Sequence, residues 1–113
     1  MIMSKSKQKG TAFETAVVRY LAANGFPYAE RAPLAGNKDR GDITGTPGLV
    51  WECKNAKEIR LAEWSDETFV EMVNAGAHYG ILVVKRPRYG DPADAYAVLP
   101  LSGLVELLKE AGY

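Results

Sequence analysis

The chain has a single cysteine and a single histidine in 113 residues. One thiol excludes a disulfide framework within the chain. A lone cysteine with a lone histidine also excludes a zinc site built from thiolate and imidazole ligands. No apolar run approaches the roughly 20 residues of a membrane span, so no membrane partner is expected. The opening MIMSKSKQKG lacks the apolar stretch of a secretory signal. These absences lead to the expectation of a cytoplasmic protein, in a compartment that suits an unpaired thiol. There is no internal repeat and no low-complexity segment. Gly36 and Gly41 are spaced neither as GxGxxG nor as a P-loop, so no nucleotide cofactor is expected. The formal net charge is zero, so no overall excess of one sign points to a partner.

What is present reads as one globular domain, 1–113, with the polar residues 1–9 expected as a flexible basic tail. A chain of this length buries about 65% of its unfolded surface, enough for one real core. The charges are unevenly spread. Residues 1–60 hold ten Lys and Arg against six Asp and Glu, and residues 61–113 hold four against eight. The basic positions group as Lys5, Lys7 and Lys9, then Arg31, Lys38 and Arg40, then Lys54, Lys57 and Arg60, with Lys85, Arg86 and Arg88 further on. Such asymmetry points to an anionic partner on one face; a solvated surface is the plain alternative.

Periodicity places the elements. Phe13, Val17, Tyr20 and Leu21 follow helical spacing between Gly10 and Asn24, and Asn24-Gly25 is a stop signal. FPYAERA and GDITG read as short strands, and LVWECKN as a strand with period-two alternation. The connection through Gly45, Pro47 and Gly48 is short enough for the last two to pair as a hairpin. Residues 60–76 read as a helix, with Leu61, Trp64, Thr68, Met72 and Val73 on one side and Glu63, Asp66, Glu67 and Glu71 largely on another. YGILVVK reads as a strand buried on both faces, AYAVLP as a further strand, and LSGLVELLKEAGY as a closing helix. The order α-β-β-β-α-β-β-α implies an α/β fold, a mixed central sheet flanked by helices.

Three ionisable groups interrupt this pattern. Glu52 and Lys54 are two apart on a strand, so both leave one face about 7 Å apart. Val50 shares that face, while Leu49, Trp51 and Cys53 take the other. A carboxylate on a covered sheet face needs a partner or a metal. Asp42 opens the preceding strand, so a hairpin brings it beside Glu52. Glu14 sits at about 100° on a helical wheel whose apolar arc runs from Phe13 to Val18 at about 140°. Oxygen ligands of this type suit Mg²⁺, with Mn²⁺ as a substitute. A cation held by carboxylates, a lysine at its edge and bases around it suit phosphodiester hydrolysis.

The segments GTAFETAVVRYLAANGF, RGDI and WECK, in that order over roughly residues 9–85, resemble the PD-(D/E)XK nuclease superfamily. They look most like its small archaeal-type and phage-encoded Holliday junction resolvases. The resemblance implies a restriction-endonuclease-like core and a catalytic set of Glu14, Asp42, Glu52 and Lys54. By that resemblance Glu14, Asp42, Glu52 and the Cys53 carbonyl hold the divalent metal, and Lys54 acts on the attacking water. The products are then 5′-phosphate and 3′-hydroxyl ends, the partner is branched DNA, and two nicks imply a homodimer. A phage-encoded protein would act in its host's cytoplasm. Such resolvases often carry Ser-Gly before the catalytic Asp, where this chain has Ala35-Gly36. The alternatives are a nicking, restriction or repair nuclease of the same fold on duplex or flapped DNA, and a DNA-binding module without catalysis. Lys5, Lys7, Lys9, Arg31, Lys38, Arg40, Lys57, Arg60, Lys85, Arg86 and Arg88 are the expected phosphate contacts.

Other residues are set aside. Cys53 alternates away from Glu52 and Lys54 and reads as a core thiol. His78 reads as a surface or cap residue, Trp64, Phe69 and Met72 as core, and Asp39 as a loop residue.

Overall fold

Phe13, Val17 and Leu21 are the buried residues of the first helix, α1, which spans Lys5–Ala23. The computed structural model describes residues 4–33 and 39–113. The helix begins earlier than periodicity implied, so residues 5–9 are its first turns and not a tail. The physical reason is local: the Ser4 hydroxyl accepts the Lys7 N–H at 3.2 Å, a helix N-cap, and Lys and Gln are good helix formers. At the other end the Asn24 and Phe26 N–H groups both donate to the Leu21 carbonyl, which closes the last turn.

Five strands and two more helices follow: β1 (Glu30–Arg31), β2 (Ile43–Thr44), β3 (Leu49–Lys54), α2 (Leu61–Ala75), β4 (Tyr79–Val84), β5 (Tyr96–Val98) and α3 (Leu101–Glu110). A 3₁₀ turn at Pro92–Asp94 precedes β5. The order matches the expected one, and the result is an α/β domain. FPYAERA contributes only the two residues of β1. β4 is the centre of a three-stranded sheet, parallel to β3 and antiparallel to β5. β1 and β2 form a separate antiparallel ribbon.

The expected hairpin of β2 and β3 is therefore not a ladder. β2 pairs with β1 through Arg31↔Ile43 and Glu30↔Thr44. It reaches β3 by one main-chain bond, Asp42 N–H to the Trp51 carbonyl at 2.8 Å. Gly45, with φ +87°, turns the chain so close to β1's approach that a Cβ there would clash with the Tyr28 carbonyl oxygen. β2 is thus drawn toward β1 and only touches β3.

The sheet separates two apolar layers. Cys53, Ile81 and Val83 pack with Phe13, Val17, Leu21 and Ile43 on the α1 side. Leu82 and Val84 pack with Trp64 on the α2 side. β4 is buried on both faces, as a continuous apolar strand requires. Burying each such side chain stabilises the fold by about 1.5–3 kcal/mol.

The buried stripe of α2 differs from the expected one. Trp64, Thr68 and Glu71 are its buried residues, whereas Leu61, Phe69 and Val73 are exposed. Val73 lies about 180° from Trp64 at 100° per residue, and Glu71 only about 20° from it. The i, i+4, i+7 stripe is Trp64, Thr68 and Glu71, and the carboxylate belongs to it. No helix among the described residues is long and apolar enough to cross a membrane.

Candidate metal centre

Gly41 sets the geometry. Its φ is +95°, and a Cβ on it would stand 3.0 Å from both the Trp51 carbonyl oxygen and Val50 Cγ1. Only glycine lets the chain pass so close to β3 in that conformation. Asp42 is then tied twice to the free edge of β3. Its N–H donates to Trp51, and its Oδ2 accepts the Cys53 N–H at 2.8 Å. The N–H and C=O of one strand residue leave the same edge, so the Cys53 carbonyl also faces the Asp42 side. The Cys53 thiol lies in the α1 layer, and burial pushes its pKa up, so it is a packed, un-ionised group and not a nucleophile.

Glu52 is on the opposite face of β3 from Cys53, as alternation predicts, and is 5% exposed. Its carboxyl lies against those of Asp42 and Glu71. Burial raises all three; a neighbouring carboxyl adds to it in each, against the lowering effect of the hydrogen bond that Glu52 shares with Asp42 and that Glu71 shares with Glu52. Asp42 is pushed up to about 8 by burial and then by Glu52. Glu52 is pushed up to about 8 by burial and then by Glu71. Glu71 is pushed up to about 7 by burial and then by Asp39. Carboxyl groups this close hold a proton between them unless a cation takes its place.

Lys54 leaves the same face as Glu52. Its Nζ is 2.9 Å from Glu67 Oε2 on α2, 3.9 Å from Glu52 Oε2 and 5.8 Å from the centroid of the Trp64 ring. Burial pulls its pKa down, but Glu67 and Glu52 outweigh that and raise it. The ammonium is therefore held charged.

Glu14 sits at the edge of this group. Its Oε1 pairs with Arg31 Nε at 3.3 Å. Burial and then the charge of Asp42 raise its pKa, against the opposing pull of Arg31. The structure thus brings Asp42, Glu52 and Lys54 together and sets Glu14 beside Asp42.

An open cleft of about 1600 Å³ runs past Asp42, lined among others by Lys7, Thr11, Glu14, Arg31 and Arg40. Lys5 and Lys9 are exposed on the same first turns of α1 as Lys7, and Lys57 is exposed beyond β3. Arg60 is held by Glu58 and Glu63 at 3.5 Å each. The Lys85 N–H donates to the Lys54 carbonyl at 2.9 Å, so the basic turn 85–88 starts beside Lys54. Within that turn Lys85 Nζ donates to the Arg86 and Tyr89 carbonyls. Arg86 stacks 3.9 Å from the Tyr89 ring centroid, and Arg88 is exposed at φ 68°. Lys38, Ala35 and Gly36 lie outside the described residues. His78 is exposed, as expected.

Sequence reasoning missed two groups and set a third aside. Glu71 was readable from its seven-residue spacing to Trp64. Glu67 carries no signal of its own, because only the packing of α2 on β3 brings it to Lys54. Asp39 is a loop residue, but one of its oxygens lies within 4.8 Å of oxygens from Glu52 and Glu71.

No protein-family model, curated protein or solved structure matches the chain.

Proposed function

We propose that this chain is a metal-dependent DNA endonuclease with a restriction-endonuclease-like core, a relative of the PD-(D/E)XK resolvases that nicks four-way junctions. The observation that carries the reading is the convergence of Asp42, Glu52 and Lys54 at the free edge and α2 face of one strand, with Asp42 also lining an open cleft that carries Lys7, Arg31 and Arg40. The donors fit a hard divalent cation: they are all oxygens, and burial leaves their negative charge in need of compensation. Glu14, Asp42, Glu52 and the Cys53 carbonyl would hold Mg²⁺, with Mn²⁺ able to replace it. When bound, the cation lowers the pKa of water and offsets charge on the transferred phosphate.

The chain's own groups do the rest. Lys54, kept charged by Glu67, orients the attacking water and stabilises the anionic transition state as a fixed cation. Lys7, Arg31 and Arg40 draw phosphates into the cleft. Arg31 exchanges its Glu14 partner for phosphate when DNA enters, which frees Glu14 toward Asp42. The products carry 5′-phosphate and 3′-hydroxyl ends. Paired nicks on opposed strands need two sites, so the working form is a homodimer.

The test is cleavage of matched four-way junction, flap, nicked and linear DNA with Mg²⁺, Mn²⁺, Ca²⁺ or EDTA. Cleavage is expected with Mg²⁺ and Mn²⁺, binding with little turnover in Ca²⁺, and none in EDTA. Asp42→Asn and Glu52→Gln are expected to lower the rate by orders of magnitude while DNA binding persists. Full cleavage in EDTA by pure protein would overturn the metal mechanism. Equal cleavage of all four substrates would leave a nuclease without junction selectivity.

A further inference from the structure

Glu71 projects from α2 into the interior and is 2% exposed. Its Oε2 is buried without a hydrogen-bond partner among the described residues. A buried carboxylate oxygen left unsatisfied is costly. No ion pair among the described residues involves Glu71 or Asp39. Yet oxygens of Asp39, Glu52 and Glu71 lie within 4.8 Å of one another.

Asp39 is fixed there by two bonds. Its Oδ1 accepts the Gly41 N–H at 2.9 Å, and its carbonyl accepts Asn74 Nδ2 at 3.0 Å. Asn74 is three residues beyond Glu71, on the same side of α2. One helix face therefore both presents the buried carboxylate and anchors the loop residue opposite it.

We infer that Asp39, Glu52 and Glu71 form a second divalent-cation site, with Glu52 shared between it and the Asp42 side. Three carboxylates without imidazole or thiolate select a hard ion such as Mg²⁺, Mn²⁺ or Ca²⁺. A cation there satisfies the free Glu71 oxygen and offsets the charge that Glu52 and Asp39 bring. The inference rests on the proposed nuclease reading only for the first cation. The second site stands on Glu71 and Asp39, which that reading does not use.

The experiment counts ions and needs neither DNA nor cleavage. Mn²⁺ is titrated into the full-length protein near pH 8, free Mn²⁺ being followed by electron paramagnetic resonance. The wild-type protein is expected to bind two ions. Glu71→Gln, which keeps the side-chain shape, is expected to weaken one of them by about tenfold or more and leave the other. Asp39→Asn, on the exposed loop, is expected to weaken the same ion, and Asp42→Asn the other. A melting curve confirms that each variant is folded. No bound ion, a single ion that Asp42→Asn also weakens, or ions retained at full affinity in both Glu71→Gln and Asp39→Asn would overturn the second site. If only Asp42→Asn left the count unchanged, the second site would stand and the first would fall.

Discussion

Lys54 is closer to Glu67 than to Glu52: 2.9 Å separates its Nζ from the helix carboxylate and 3.9 Å from the strand one. The ammonium is thus held from α2, and its raised pKa keeps it charged at any pH near neutrality. In the proposed mechanism a permanently charged lysine would orient and stabilise, and would not accept the proton of water. Lys54→Ala is expected to lower DNA cleavage by orders of magnitude, and by the same factor at each pH from about 6 to about 9. Glu67→Gln is expected to lower it less, since Lys54 stays beside Glu52. Rate profiles against pH for the three proteins check this. A Lys54→Ala defect that grew with pH would identify the lysine as a base.

The acidic cluster makes stability depend on pH in a stated direction. In the unfolded chain carboxyl groups lose their protons at about pH 4. In the fold Asp42 and Glu52 keep them to about 8 and Glu71 to about 7. Between these limits the folded state binds more protons than the unfolded one. Stability without divalent ions is therefore fully present below about pH 4 as far as these groups are concerned, and falls as pH rises through about 7 to 8. Urea unfolding in EDTA is expected to show a less stable protein at about pH 8 than at about pH 5.5. Mn²⁺ should restore more stability at the higher pH, and Glu71→Gln should narrow the gap. Stability that rose between these two pH values in EDTA would contradict the raised pKa values.

Gly41→Ala tests the backbone path into the site. The added methyl group meets Trp51 O and Val50 Cγ1 at 3.0 Å, on a φ of +95°. The expected loss is about 1–3 kcal/mol, seen as a lower melting temperature. Cleavage should fall further than stability does, because Asp42 moves with its neighbour. An unchanged melting temperature would show that the chain near Gly41 yields easily.

Phosphate contacts should make DNA binding steeply salt-dependent. Neutralising about 6 phosphates gives a log–log slope of about −5 on duplex. A rigid dimer fits opposed strands of a junction, whereas linear DNA must bend at about 1–6 kcal/mol. Binding to a four-way junction is expected to be at least about tenfold tighter than to linear DNA of equal length. A competition gel measures the ratio, and sedimentation of the free protein tests whether it is a dimer. A monomer that prefers neither DNA would end the resolvase assignment.

The alternation in LVWECK was enough to put Glu52 and Lys54 on one face and Cys53 in the core, because strand side chains alternate whatever surrounds them. The helical spacing of Phe13, Val17 and Leu21 likewise identified the core face of α1, and the run GILVV identified a strand covered on both sides. Glu71 was within reach of the same arithmetic, since it repeats from Trp64 and Thr68; its charge argued for the wrong face. Other features had no local signature. That β2 pairs with β1 and only touches β3 depends on which free edge the ribbon meets. That Lys54 is held by Glu67, and that Asp39 reaches Glu71, depends on α2 crossing the face of β3 as the connection to the parallel strand β4. Periodicity reports which way a side chain leaves its own element. Which charge it then meets, and whether burial leaves that charge uncompensated, is decided only when distant elements pack.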